Sequence, residues 1–234
     1  FQLLMFRFLV CFILFCFGAS AEGQLIDFSR IKQRKVRKLM EENNLTSRDD
    51  FKRMEAACFD EDEDYSKTSR SFLVEASPAA VWDAYRHSSP RQCWGGRRVS
   101  FGVLFDSPDD PLVYADAPYG GLRVGQIAFI QLHLFSGLYK LAVAHKVVAI
   151  DDARRSLQIC YMKNGASEGS QFIYLDETSE GFTRVTHDTY YRSKSKFRDR
   201  RVYPAIHDKV ITEYHANVAR SIRSRPEVEV AITP

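Results

Sequence analysis

Most of the short signatures that mark a particular chemistry are missing from this chain of 234 residues. There is no P-loop, no G-x-G-x-x-G dinucleotide loop and no H-x-x-x-H pair, so nucleotide and helix-borne metal chemistry have no sequence support. No C-x-x-C occurs, and five cysteines are too few for a dense disulfide framework. A strong charge of one sign is also absent. With 33 Lys+Arg against 30 Asp+Glu the net charge is +3, well short of the global excess typical of a nucleic-acid-binding domain, so no nucleic-acid partner is expected. What is present is ordinary globular material, 45% hydrophobic and 13% aromatic, enough for one sizeable core with appendages.

The N-terminus reads as a targeting segment. Met5, Phe6 and Arg7 form a short positive start, and Phe8 to Phe17 is an apolar run, too short for a membrane-spanning helix of about 20 residues. Ala19 and Ala21 fit the small-residue positions of a signal-peptidase site, which predicts a signal peptide over 1–21, a mature start near Glu22 and a secreted or periplasmic protein. An uncleaved anchor, or a lipoprotein attached through Cys11 or Cys16, is the alternative. After such a cut Cys58, Cys93 and Cys160 remain, an odd number that permits one disulfide. Cys160 lies in a strand-like run and reads as a buried free thiol.

Residues 22–67 read as a helical extension with an acidic linker. Over 28–43, Phe28, Ile31, Val36, Leu39 and Met40 recur at helical spacing between Arg and Lys residues. Two uses fit such a basic amphipathic helix: packing on the domain with a solvated basic face, or attachment to an anionic membrane surface. Ser47 and Asp50 form a capping-box-like start for a short helix from Arg48 to about Cys58. The run Asp60 to Asp64 lacks the Gly and the ligand spacing of an EF-hand, and reads as a solvated linker able to pair with basic segments elsewhere.

The main domain is expected over 68–223, with a tail over 224–234. Ser71 to Ala76 reads as a strand, and Ser77-Pro78 starts a helix reaching about His87, with Ser as N-cap and Pro at the first helical position. Seven strands then follow between Gly- and Pro-rich turns: 99–105, 112–115, 126–135, 138–151, 156–162, 170–176 and 182–192. A helix from about Arg200 to Arg223 closes the chain, its Tyr203, Ile206, Val210, Ile211, Tyr214, Val218 and Ile222 recurring every three or four residues.

This order, with the stretch Ser77, Pro78, Val81 and Trp82 as S-P-x-x-V-W, resembles the START/SRPBCC superfamily of birch-allergen-like proteins, polyketide cyclases and lipid-transfer domains. Asn164 to Phe172 is similar to the Gly/Glu-rich turn of an uncharacterised bacterial branch of it. The resemblance implies an α+β helix-grip fold, a curved antiparallel sheet around a long C-terminal helix, with a cavity between them for a hydrophobic ligand. Extra N-terminal helices would be this chain's own addition.

Alternation along the strands then assigns faces. If Lys140 and Lys146 face water, Tyr139, Leu141, Val143, His145 and Val147 face inward; if Arg184, Thr186 and Asp188 face out, Val185, His187 and Thr189 face in. Leu157, Ile159 and Tyr161 form the apolar set of their strand, while His133 has no assigned direction. The expected cavity lining is Trp82, Tyr85, Tyr139, His145, Tyr161 and His187. That set suits a hydrophobic or amphipathic small molecule, lipid-like, bound without a cofactor or metal. Two alternatives stand beside this binding protein: a cyclase- or dehydratase-like enzyme using His145 or His187 as general base, and an interaction module docking through residues 28–43. His207 and His215, eight residues apart on the last helix, point about 80° apart and are not expected to share a metal.

Overall fold

The structure, a computed structural model, describes residues 25–223. The expected signal segment, its cleavage site and the tail over 224–234 lie outside the described residues.

A nine-stranded antiparallel sheet is the frame. β1 (Ala56–Ala57), β2 (Ser66–Val74), β3 (Val99–Phe105), β4 (Val113–Tyr114), β5 (Ile127–Leu134), β6 (Tyr139–Asp151), β7 (Ser156–Met162), β8 (Glu168–Glu177) and β9 (Thr183–Arg192) pair in the order β2-β9-β8-β7-β6-β5-β3-β4, with β1 added beside the end of β7. Strands β5 to β9 form a continuous meander, and α2 (Pro78–His87) and α3 (Pro90–Cys93) carry the chain from β2 at one edge to β3 near the other. α2 starts as its sequence dictates: the Ser77 hydroxyl accepts the Ala80 N–H and Pro78 occupies the first turn. The last helix, α4 (Tyr203–Arg223), lies along one face of the sheet.

Around β3, β5 and the adjoining part of β6 both faces of the sheet are covered. Because successive side chains point to opposite sides, Ile130 and Val143 pack with Val210 of α4, while their neighbours Phe129 and Ala144 belong to a separate cluster with Val36 and Met40 of α1 (Arg34–Glu42). The helical part of the N-terminal extension is shorter than the expected 28–43, with a single 3-10 turn at Phe28–Arg30 before it. Most of its apolar stripe is buried: Ile31, Val36 and Met40 have no exposed surface, and Phe28 and Leu39 are partly buried against them. In this structure residues 28–43 therefore pack on the domain. The close approach depends on Gly102, where a β-bulge shifts the β3–β5 register and a Cβ would stand 2.9 Å from both methyl carbons of Val36.

The rest of the extension is tied down in three ways. The Asp50 carboxylate accepts hydrogen bonds from the N–H and hydroxyl of both Thr46 and Ser47, fixing the 3-10 turn Arg48–Arg53 and holding the carboxyl well below its ordinary pKa through those bonds and Arg53. β1 then pairs with β7, and the following Cys58 forms a disulfide with Cys160. This corrects the reading of Cys160 as a free thiol. That reading took burial for reduction, since the 102-residue separation gives no local sign of the partner. Among the described residues the free thiol is Cys93, buried under α4, with its pKa pushed up by burial to about 12. The acidic run does pair with basic segments: Glu63 with Arg192, and Asp64 with Lys196 at 3.4 Å.

A cross-link spanning 102 residues restricts the unfolded chain heavily. Reduction, or the double substitution Cys58→Ser with Cys160→Ser, is expected to lower stability by about 2–5 kcal/mol, a fall in Tm of roughly 5–15 °C for a chain of this size. Calorimetry with and without reductant checks this. An unchanged Tm after mass spectrometry confirms reduction would mean that β1 and the Phe51 core hold the extension without the bond.

Candidate functional site

Between the first half of α4 and strands β5 to β7 the side chains leave a cavity of about 680 Å³. Its walls are apolar: Ile130, Leu132 and Val143 from the sheet, and Ile206, Val210 and Ile211 from α4. It opens where the sheet is incomplete. β7 ends at Met162, so Tyr139 to Ala144 of β6 are paired with β5 on one side only. The loop Lys163 to Ser167 and the end of α1 frame the gap.

The inner end of the cavity is polar but uncharged. Tyr161 and His145 reach it from paired positions on β7 and β6, Gln171 from β8, and Tyr203 and His207 from successive turns of α4. α4 is delivered there by a π-helical turn, Arg198–Val202, held by the buried carboxylate of Asp199, which accepts the Ser193 N–H at 2.8 Å and the Ser193 hydroxyl at 2.6 Å. Tyr203 stacks on Tyr191 with ring centroids 3.7 Å apart, and its hydroxyl is hydrogen-bonded to that of Tyr161.

Behind this lining runs a buried hydrogen-bonded chain. The Tyr85 hydroxyl contacts His215 Nδ1; His215 Nε2 is 2.8 Å from His187 Nδ1; His187 Nε2 is 3.1 Å from Gln171 Oε1. Gln171 Oε1 also meets His207 Nε2 at 3.3 Å, and its amide nitrogen lies 3.4 Å from His145 Nε2. One set of proton positions satisfies all of these contacts. Tyr85 donates to Nδ1 of His215, Nε2–H of His215 to Nδ1 of His187, Nε2–H of His187 and of His207 to the Gln171 carbonyl, and the Gln171 amide to Nε2 of His145. Every imidazole in that arrangement is neutral. Burial enforces this, lowering the pKa of His145 to about 4 and of His215 to about 3; His187 and His207 are lowered by burial and then by neighbouring histidines.

Of the six residues expected to line the cavity, Tyr139, His145 and Tyr161 do so, Tyr139 at the opening and half exposed. His187 faces the same side of the sheet but stands one layer behind, its two nitrogens taken by His215 and Gln171. Trp82 and Tyr85 are core residues instead. They pack with Leu157, Ile173, Val185 and Tyr214, filling the half of the groove that α2 covers, and the Trp82 indole N–H donates to Asp152 at 2.8 Å. A helix face that is apolar in sequence marks what is buried, not whether the space in front of it is filled. His133 faces the α1 side of the sheet, within 3.0 Å of the Ser100 hydroxyl.

Sequence reading missed Gln171, Tyr203 and His207. Tyr203 and His207 were legible as an i, i+4 pair beside Ile206 on the cavity stripe of α4. Gln171 had its signal in strand parity, two residues before Ile173. His207 and His215 do not contact each other, yet both join the chain through Gln171 and His187. Among the described residues no group of three His, Cys, Asp or Glu side chains is placed to hold a metal ion.

Neutral buried histidines make the fold acid-sensitive. Their pKa values lie below the unfolded value of about 6.5, so the unfolded chain binds protons first as the pH falls. Stability is therefore complete above about pH 6.5 and is lost progressively toward the folded values near 4 and 3. His145→Gln removes one titrating group, and is expected to recover about 3 kcal/mol of what the wild type loses between pH 7 and pH 4. Urea unfolding at several pH values measures it; a variant whose loss matches the wild type would show that His145 does not titrate in this way.

No protein-family model matches the sequence, and no curated protein matches it. Solved structures do match by shape. The KanY protein in solution is similar with a TM-score of 0.50 at 14% identity, over 69% of this chain and 99% of that one. Norcoclaurine synthase from Thalictrum flavum, in complex with dopamine and hydroxybenzaldehyde, is similar with a TM-score of 0.50 at 15% identity, over 70% of this chain and 89% of the synthase. At such identities the likeness speaks for architecture alone. A curved antiparallel sheet, the paired helices between β2 and β3 and the long C-terminal helix give this chain the α+β helix-grip fold that these solved structures share.

Proposed function

We propose that this protein binds a hydrophobic or amphipathic small molecule, lipid-like in character, in the cavity between α4 and strands β5 to β7. The observation that carries the reading is the cavity itself: 680 Å³, within the size range of small-molecule sites, with aliphatic walls and a few convergent polar groups at one end. Those groups, His145, Gln171, His207, Tyr161 and Tyr203, are neutral hydrogen-bonding partners that orient a guest without demanding a charge from it.

Binding fits the electrostatics better than proton transfer does. A general base works best when its pKa lies near the working pH, and burial takes His145 to about 4. The second reading, a cyclase- or dehydratase-like enzyme, is favoured by one observation: His145 lines the cavity and its Nε2 is joined through Gln171 to a longer chain of imidazoles. Norcoclaurine synthase shows that the fold accommodates small aromatic compounds such as dopamine and hydroxybenzaldehyde. On this reading His145, not His187, would face the substrate.

Export to an oxidising compartment is part of the proposal. A long-range disulfide between Cys58 and Cys160 is favoured outside the reducing cytosol, which agrees with the signal segment read in residues 1–21 and a mature start near Glu22.

Native mass spectrometry of protein secreted from its own signal, followed by solvent extraction, tests the binding reading. A stoichiometric apolar or amphipathic molecule is expected, and Val143→Trp, which fills the cavity, should reduce its occupancy at least ten-fold. Equal occupancy in that variant would place the molecule elsewhere, and an empty protein that also fails to bind a neutral apolar dye would sink the proposal.

A further inference from the structure

The cavity walls carry no charge, but its opening does. Among the lining side chains Lys35, Lys38, Lys140, Lys163 and Arg198 are cations, and Glu42 alone is an acid. Lys38 is paired with Glu42 at 3.4 Å and Lys163 with Glu55. Lys35 and Lys140 make no ion pair among the described residues. Arg198 donates to two neutral acceptors, the Ala166 carbonyl and the Ser167 hydroxyl, and meets the Asp199 carboxylate only at 4.0 Å. Its Nε is buried and has no hydrogen-bond partner.

These cations come from separate parts of the chain. Lys35 belongs to α1, Lys140 to the unpaired half of β6, and Arg198 to the π turn before α4. One basic helix face is commonplace; here cations from three segments line one cavity, Lys35 and Lys140 have no carboxylate partner among the described residues, and one guanidinium nitrogen is buried without a hydrogen-bond partner, so positive charge at the cavity is left in excess. The body of the cavity asks for an apolar guest and its opening for an anion.

We propose that the ligand is an amphiphilic anion, an organic acid with an apolar chain or ring system, bound with its body between α4 and β5 to β7 and its acidic group at the opening among Lys35, Lys140 and Arg198. This rests on the cavity being a ligand site. A carboxylate, a sulfate or a phosphate monoester supplies the same chemistry, and the planar fork of Arg198 suits each. Because the opening is wet, the preference over a neutral analogue is modest, about ten-fold, and salt-sensitive.

The test uses Nile red as a neutral cavity reporter on the purified protein, displaced by dodecanoate, dodecanol or dodecyltrimethylammonium. Dodecanoate is expected to displace the dye about ten-fold more tightly than dodecanol, with the cation weakest and the gap narrowing in 1 M NaCl. In the Lys35→Gln, Lys140→Gln double variant, acid and alcohol should fall within about two-fold of each other while alcohol binding stays as in the wild type. Equal displacement by acid and alcohol in the wild type would overturn the acidic-ligand inference and leave the cavity intact. Failure of dye and alcohol alike to bind would overturn the cavity reading and this inference with it.

Discussion

The structure depends on a sheet that is buried on both faces along β3 and β5. Antiparallel sheets commonly leave one face to solvent, but here β5 and the middle of β6 carry apolar side chains on both faces, and each face has its own cover. Ile130 and Val143 look toward α4, Phe129 and Ala144 toward α1. This is why β5 shows no clean polar alternation, and why an N-terminal extension is required: without α1 over Gly102 and the flanking Phe105 and Phe129, a large apolar surface would be open to water. The extension is a structural wall before it is anything else.

Two covers on one sheet also explain where the cavity opens. β6 runs on for six residues beyond the end of its pairing with β7, and neither α1 nor the turn after β7 closes the gap. On the α4 side, the half of the groove beneath α2 is filled by Trp82, Tyr85, Leu157 and Ile173, whereas the half beyond α2 has only the start of α4 to fill it. Packing is thus uneven along one helix. Its second half is core, and its first half, from Tyr203 to Ile211, is a cavity wall.

Much of this was legible. Strand limits at 99–105 and 156–162, the Ser77-Pro78 helix start and the inward parity of His145, Tyr161 and His187 all follow from local rules, namely capping, turn residues and alternation, which need no knowledge of distant partners. What escaped the sequence is what depends on juxtaposition. The partner of Cys160 lies 102 residues away, the two-residue β1 is too short to leave a pattern, and the role of Gln171 arises only when His145, His187 and His207 come within reach of its amide. Trp82 and Tyr85 were placed on the correct side of the sheet but in the wrong half of the groove, because periodicity reports a direction and not a depth.

The amide of Gln171 is the hinge between core and cavity. Its carbonyl accepts from two imidazoles and its nitrogen faces a third, so the proton positions of four histidines and Tyr85 are fixed relative to one another. Reversing any one of them would place two donors or two acceptors face to face unless the amide turned over as well, and then the whole chain from Tyr85 to His145 would have to invert together. A guest that hydrogen-bonds to His145 or His207 therefore meets a group whose polarity is set elsewhere in the fold, on α2 and the far half of α4. The residues chosen for this chain are neutral, buried and mutually satisfied, which makes the inner end of the cavity a fixed pattern of donors and acceptors and leaves the charged opening as the place where electrostatics select the guest.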